Sequence, residues 1–341
     1  MMVKRSSVVL VVGLLCLALA ITASAAQVEE RTFPLKADGS VSVENSAGNT
    51  IIHAWAEEQV KMIATRKGSG ADKIEIIIDA REDRLKIETE YPRFSWFQRA
   101  RVNYELWVPQ GATVRAVSTS GDLYIEEQHN DVRAQTTSGD IELINIWGEI
   151  DVGATSGSIR TENSKGDITA RSSSGSIRIL GVEAAEQPND IRVHASSGDI
   201  VLRNIEGDIE VETSSGDIDT ENLEGTITAR ASSGDIKILE LRGGVRTIRT
   251  SSGDIWVELE EIDKAISEMS FQSTSGDISL FVPSDIGAEV DIRTTSGRIS
   301  TDLAITVEGT MGRNELQGTI GGGGIFIKLK ATSGDVSLRK V

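Results

Sequence analysis

The sequence predicts an all-β fold: a parallel β-solenoid of the β-helix or β-roll kind, with coils of about 18 residues behind an N-terminal β cap region. Three features carry that prediction. Glycines recur at steps of nine, as Gly139, Gly148, Gly157, Gly166 and Gly175, and again as Gly198, Gly207, Gly216, Gly225 and Gly234. Alternate glycines share their flanks, as in Thr137-Ser138-Gly139-Asp140-Ile141 and Ser214-Ser215-Gly216-Asp217-Ile218, so the repeating unit is 18 residues made of two similar halves. Between the glycines, apolar and polar residues alternate. A fixed period of this length is the mark of a solenoid.

Each element follows from the same pattern. In the unit Ser138–Thr155, Ile141 and Leu143 alternate with Asp140 and Glu142, and Ile150, Val152 and Ala154 alternate with Glu149, Asp151 and Gly153. A period of two means strand. The glycines mark corners, where φ is positive or two backbones come close. One coil is then two short strands, stacked on the next at ~4.8 Å, and the steps from Gly121 to Gly334 give a rod of roughly 50 Å. Right-handed winding is expected, because parallel crossovers are overwhelmingly right-handed.

Stacking turns the sequence into columns. Parity places Ser138, Ser156, Ser174, Ser197, Ser215, Ser233, Ser252, Ser275, Ser296 and Ser333 inward, just before the corner. Two residues earlier stand small inward residues such as Ala154, Ser172, Ala195, Thr213 and Thr250. On the far side of the corner lies an inward isoleucine column: Ile141, Ile177, Ile200, Ile218, Ile236, Ile255 and Ile278. Asn145, Asn163, Asn204 and Asn222 share register at the opposite corner. They are expected as a buried ladder, since buried polar groups need partners. Two steps, Gly175 to Gly198 and Gly253 to Gly276, span 23 residues instead of 18. Their extra residues, around Val182–Gln187 and Glu260–Ser267, are expected as loops.

The chain divides into a signal peptide (1–26), a β-strand cap region (27–115) and the repeat solenoid (116–341). The signal peptide is read from Lys4 and Arg5, the apolar run Val8–Ala20 and the small residues Ala23-Ser24-Ala25-Ala26. The apolar run is shorter than the ~20 residues of a membrane span. Cys16, the single cysteine, lies inside it, so the mature chain has no disulfide. In the cap region, Val41–Val43, Thr50–Ile52, Ile74–Ile78, Leu85–Ile87 and Tyr104–Val108 read as strands. They are expected to cover the first coil's open edge, a site for aggregation. The tail, with its Gly321–Gly324 run and Ile325–Ile327, closes the other end. Export to the periplasm, the cell surface or the medium follows, with no transmembrane anchor after cleavage.

The formal net charge is −17, and more negative still without Lys4 and Arg5. That balance argues against nucleic acid and anionic membranes as partners. A cell-envelope protein or a surface glycan fits better.

Several residue sets invite chemistry. Asp199, Asp217, Asp235, Asp254 and Asp277 form a corner column that would suit calcium; the alternative is turn aspartates bonded to backbone N–H groups. The column lacks the extra glycines of calcium-binding nine-residue repeats, and no metal or cofactor is assigned. Outward Thr119, Thr137, Thr155, Ser173, Ser196, Ser214, Ser232, Ser251, Thr274, Thr295 and Thr332 make a hydroxyl stripe. Beside it run Arg171, His194, Glu212, Arg230, Arg249 and Arg293, too charged for an ice-binding face. His53, His129 and His194 stand apart in sequence, without an acidic neighbour at ligand spacing, and read as surface residues. No Ser-His-Asp set can be assembled, and no catalytic residue is assigned. Aromatics are only 4 % of the chain, with Tyr124, Trp147 and Trp256 far apart. Trp256 is outward by parity and is the best single anchor. Tyr91, Phe94, Trp96 and Phe97 cluster with Arg93, Arg99 and Arg101, as a docking loop or as a cap over the first coils.

These motifs resemble the bacterial DUF4097 group of adhesin-like proteins. The resemblance rests on Gly48-Asn49-Thr50-Ile51, the Val108-Pro109-Gln110-Gly111 turn, the serial Ser-Gly-Asp-Ile corners and the Gly318–Gly324 stretch, and it spans essentially the whole mature chain. Ser156-Gly157-Ser158 and Ser296-Gly297-Arg298 depart from the corner pattern. The resemblance implies an exported parallel β-solenoid with no catalytic residues to carry over. The reading is therefore a non-enzymatic adhesin-like or envelope scaffold protein. The alternatives are a periplasmic envelope-stress sensor or protein-partner module, docking through Tyr91–Arg101, and a carbohydrate-active β-helix enzyme.

Overall fold

The computed structural model describes residues 27–91, 100–185, 187–307, 312 and 314–341. The signal peptide with Cys16, and Phe94, Trp96, Phe97, Arg93 and Arg99 of the aromatic segment, lie outside the described residues. The fold is an all-β solenoid of mostly parallel strands, as the repeat predicts. Strands pair at the sequence period: Ile141 faces Ile159, and Ile150 faces Ile168. The predicted isoleucine column is buried throughout, at no more than 1 % exposure. Among the described residues, no helix is long and apolar enough to cross a membrane.

The glycine corner works by space. A Cβ on Gly216 would lie 2.3 Å from the carbonyl oxygen of Gly198 on the coil below. The small inward column serves the same corner. Ser172, Thr213, Thr250 and Ser273 are buried, and their hydroxyls donate to the carbonyls of Gly157, Gly198, Gly234 and Gly253 at 3.1–3.3 Å. A buried hydroxyl thus satisfies a backbone acceptor that the turn leaves unpaired.

Two columns differ from the parity reading. Ser138 and its equivalents, including Ser215 and Ser233, are exposed. The pleat alternates only along a regular strand, and the chain begins to turn before the glycine, so both residues preceding it face solvent. The asparagines are not buried either: Asn163 and Asn204 are exposed, and Asn145 and Asn222 are half-buried. They share φ values of 51–56° with one another. Glu127, Gly181 and Glu240 hold the same left-handed position on their coils, at φ 60, 74 and 53°. Asparagine recurs here because it tolerates left-handed backbone better than other side chains. Asn222 Nδ2 also donates to Asn204 Oδ1 at 2.7 Å.

Stacking order departs from chain order at both ends. Ser40–Ala47 lies between Thr113–Ser120 and Arg84–Glu90, parallel to both. Thr50–Trp55 likewise lies between Leu123–Glu126 and Arg101–Pro109. Part of the N-terminal region therefore joins the rod's own ladder, with the later segment outermost. Antiparallel strands border that outer coil: Gln59–Lys67 pairs with Arg101–Pro109, Gln27–Pro34 with Gln59–Lys67, and Glu75–Ala80 with Arg84–Glu90. The C-terminus mirrors this plan. Ile325–Ser333 inserts between Glu268–Ser275 and Ala288–Ser296. Val336–Lys340 inserts between Ile278–Val282 and Ile299–Thr301. Glu315–Ile320 then pairs antiparallel with Ala288–Ser296.

The two long steps open loops as expected, though each begins two or three residues later than the alternation suggests. Strand structure continues through Glu183 and through Ile262, so the loops proper begin at Ala184 and Asp263. Both rise from the same corner of the coil, because the 18-residue register returns the chain to that corner.

Candidate binding surfaces of the rod

The corner aspartates are tied to the backbone of the next coil. Asp199 Oδ1 accepts from the N–H of Asp217 at 3.0 Å, Asp217 from Asp235 at 2.9 Å, Asp235 from Asp254 at 2.8 Å and Asp254 from Asp277 at 2.8 Å. Such charge-assisted bonds offset the repulsion along the column. Asp140 and Asp335 hold the N–H groups of Ser158 and Arg298 in the same way, both at 2.8 Å. This explains why the next corner need not carry an aspartate. The acceptor role is the one expected for turn aspartates, but the donor belongs to the neighbouring coil. Among the described residues, no group of three or more His, Cys, Asp or Glu side chains is placed to hold a metal ion.

The three histidines all have neighbours, and for His194 the column register already gave Glu212. His53 Nδ1 lies 2.5 Å from Glu126 Oε1, and its Nε2 lies 3.6 Å from Glu105. His194 sits 3.8 Å from Glu212. His129 stacks on Trp147 with ring centroids 4.0 Å apart, and its Nε2 lies 2.7 Å from Gln110 Nε2. The expectation of no acidic neighbour is corrected for His53 and His194, while His129 and His194 are exposed as expected. The out-of-order first coils bring His53 beside a glutamate 73 positions away. Its partner pair was partly legible, since Tyr124 and Glu126 share a strand face at i and i+2.

His53 belongs to a continuous stack. Lys61 Nζ lies 5.2 Å from the centroid of Trp107, Trp107 stacks on His53 at 5.3 Å, and His53 approaches Tyr124 at 6.5 Å. Tyr124 donates its hydroxyl to Glu126 at 2.6 Å. That hydrogen bond, then burial and the nearby carboxylates, pushes the Tyr124 phenol up to about 12. The same bond, against some burial and with help from His53, holds Glu126 below the usual carboxylate range. At neutral pH the tyrosine is a fixed donor and the glutamate a fixed anion. The hydrogen bond fixes the two side chains against each other on the rod's surface.

All three tyrosines of the chain are shifted upward. Burial raises Tyr91, whose hydroxyl donates to the Ala47 carbonyl at 2.8 Å, and burial pushes Tyr104 up to about 12. The folded protein should therefore show little phenolate absorbance as pH passes the ordinary value of 10.0, with the main rise near 12. The unfolded chain loses those protons first, so stability falls with pH between these values. A spectrophotometric titration at 295 nm checks this. A rise centred on pH 10 with the far-ultraviolet spectrum intact would contradict the Tyr104 and Tyr124 environments.

Elsewhere the outward faces carry exposed aromatic rings. Trp256 is 44 % exposed, outward as parity predicts, and packs on Phe281 of the next coil with centroids 4.6 Å apart. Trp147 is 52 % exposed beside His129. Tyr91 is half-buried against the core, at the edge of the undescribed segment.

The two loops bracket an open groove of about 740 Å³ that runs over three coils. Gly207, Gly225 and Gly243 line its floor, Ala184, Ala185, Gln187 and Pro188 one end and Ile262–Lys264 the other. Asp208, Thr226 and Arg242 stand along its sides. The hydrogen bond from Thr226, opposed by burial and aided by Arg246, holds Asp208 below the usual carboxylate range. Neither loop looked chemically distinctive in sequence. Their common corner follows from the period, and the stacked coils between them form the groove floor.

Among solved structures, the chain is similar to a "putative cell adhesion protein" from Clostridium sporogenes. That match has 9 % identity and a TM-score of 0.26, and covers 93 % of this chain and 100 % of the other. It is also similar to a "putative lipid binding protein" from Parabacteroides distasonis, at 12 % identity and a TM-score of 0.31, covering 92 % of this chain and 96 % of the other. Comparison with curated proteins finds no match. The family model described as Toastrack DUF4097 matches residues 39–242 and 162–339. Together these two stretches run from the first coils to the last strand, and the chain belongs to the Toastrack DUF4097 family.

Proposed function

We propose that this chain is a non-catalytic, exported scaffold of the cell envelope that binds a partner through the outward faces of its rod. The observation that carries the reading is the 44 % exposed Trp256, its ring packed on the half-buried Phe281 of the next coil. Large amphipathic rings held rigid by a sheet are the residues that dominate binding energies at interfaces. Export rests on the basic start, apolar run and small-residue site of residues 1–26.

Co-sedimentation of the purified protein with envelopes of its source cells tests the reading. Trp256→Ala should weaken retention about 5–30-fold, in line with the loss of one interface anchor. Its melting temperature should fall by only about 2–5 °C, because the ring is 44 % exposed and loses mainly its contact with Phe281. Equal retention of wild type and variant removes Trp256 as the anchor. No retention of the wild type removes the binding role. Protease shaving of intact cells, with a C-terminal tag, separates the two settings. Loss of the tag places the rod outside and favours adhesion. Protection until lysis favours a periplasmic partner module.

A further inference from the structure

The rod carries a cationic ladder that runs against its overall charge. Register pairs Arg230 with Arg249, Arg249 with Gln272, Gln272 with Lys330 and Lys330 with Arg293. Four of five successive positions in one outward column are therefore basic, over roughly 19 Å at the ~4.8 Å strand spacing. Only the out-of-order C-terminal coil creates this run, by inserting Lys330 between Gln272 and Arg293. Lys328 points from the same face one pleat away. The chain as a whole carries −17.

Cations elsewhere on this face are interleaved with carboxylates. Arg133 and Arg171 both reach Asp151, at 3.3 and 3.4 Å, and His194 lies beside Glu212. At the ladder's ends, Arg230 reaches back to Glu210 at 3.0 Å, and Arg293 is held by Asp291 and Glu315. Between them, Arg249, Lys328 and Lys330 form no ion pair among the described residues. Stacked like charges repel, and an anionic ligand relieves that repulsion. Hydroxyl columns flank the ladder on both sides. Thr228, Thr247 and Ser270 stand on one side, and Ser232, Ser251, Thr274, Thr332 and Thr295 on the other. Hydroxyls add hydrogen-bond donors for acidic oxygens. These three columns contain no aromatic side chain, whereas single-stranded nucleic acid is held largely by base stacking.

We infer that the face centred on Arg249 and Lys330 binds a linear acidic polysaccharide, its carboxylate or sulfate groups laid along the ladder. The inference rests on the reading of the rod as a binding surface and names one ligand class for it. The net acidity of the chain sets its long-range field, while the ladder sets the local sign where a flexible polymer docks.

Binding of the full mature protein to polygalacturonate and to dextran sulfate, measured by calorimetry, tests the inference. Neutral dextran and single-stranded DNA serve as comparisons. Wild type should bind at least one acidic polysaccharide, with affinity falling as salt rises. The ratio of the two acidic probes tells carboxylate from sulfate preference. Arg249→Gln with Lys330→Gln should lower the affinity at least tenfold without moving the melting temperature. Arg133→Gln with Arg171→Gln, which removes the same charge elsewhere on the face, should leave it within twofold. No binding to either acidic polysaccharide, equal losses in both double variants, or tighter binding to DNA would each overturn the inference. Envelope retention sensitive to Trp256, without polysaccharide binding, sinks only this inference. Loss of both sinks the binding-protein reading as well.

Discussion

Gly216→Val should lower the melting temperature by on the order of 5–10 °C, while Ser214→Ala, two residues away, should leave it unchanged. A side chain at Gly216 has nowhere to go. Its Cβ would lie 2.3 Å from the Gly198 oxygen and 2.6 Å from the Gly198 carbonyl carbon, both backbone atoms of the coil below. Relief requires the coils to part at that corner. This lengthens the ladder bond from Asp217 N–H to Asp199 and the hydroxyl bond from Thr213 to the Gly198 carbonyl. Overpacking of this kind costs about 1–3 kcal/mol, and the backbone clash here places it at the upper end. Ser214 is exposed and its hydroxyl faces solvent, so its loss falls within about 0.5 kcal/mol. Thermal melts followed by circular dichroism compare the two directly. Equal melting temperatures would mean that the corner tolerates bulk and that coil contact there is looser than described.

Deleting residues 325–341 should unfold a segment that precedes them. The strands Ile325–Ser333 and Val336–Lys340 form an internal coil, with Glu268–Val282 on one side and Ala288–Thr301 on the other. Without that coil, Ala288–Ser296 keeps only its antiparallel partner Glu315–Ile320, which is bordered in turn by the two-residue strand Ile305–Thr306, a small fragment detached from the core. A hairpin extended by only two residues, with no core to pack on, is marginal in water. Hydrogen exchange should show Ala288–Ser296 losing nearly all protection, with Ile236–Ser252 still protected. The shortened rod, ending on the bare edge of Glu268–Val282, should also aggregate. Stacking in chain order makes the opposite forecast: Ala288–Thr301 would rest on Glu268–Val282 and stay protected. Retained protection there would refute the inserted coil.

The functional surfaces divide along the same line as the fold. Trp256 was identified as outward from its parity after Ile255, because alternation within one strand is local information. The exposed hydroxyl stripe was legible for the same reason. The His53–Glu126 pair and the Arg249–Gln272–Lys330–Arg293 run were not, since each depends on a coil placed out of chain order. The groove needed both loops on one corner, which follows from counting the period through two insertions. The asparagine column shows a subtler limit. Its period was plain in the sequence, but periodic recurrence does not reveal whether a residue is kept for burial or for backbone conformation.

By itself, the sequence determined the all-β solenoid, the 18-residue coil, the glycine corners, the isoleucine core column and the places where loops leave the rod. These are nearest-neighbour properties of a repeat, in which each coil meets only a copy of itself. Tertiary structure alone decided which coil lies outermost at each end, which side chains meet across those joins, and that the serines before each glycine face solvent. The interior repeats constrain one another through a shared register. The terminal segments have an open edge to cover, and several strand orders satisfy the same alternation. The order chosen is the one that places antiparallel strands over the exposed edges and buries the last coil inside the rod.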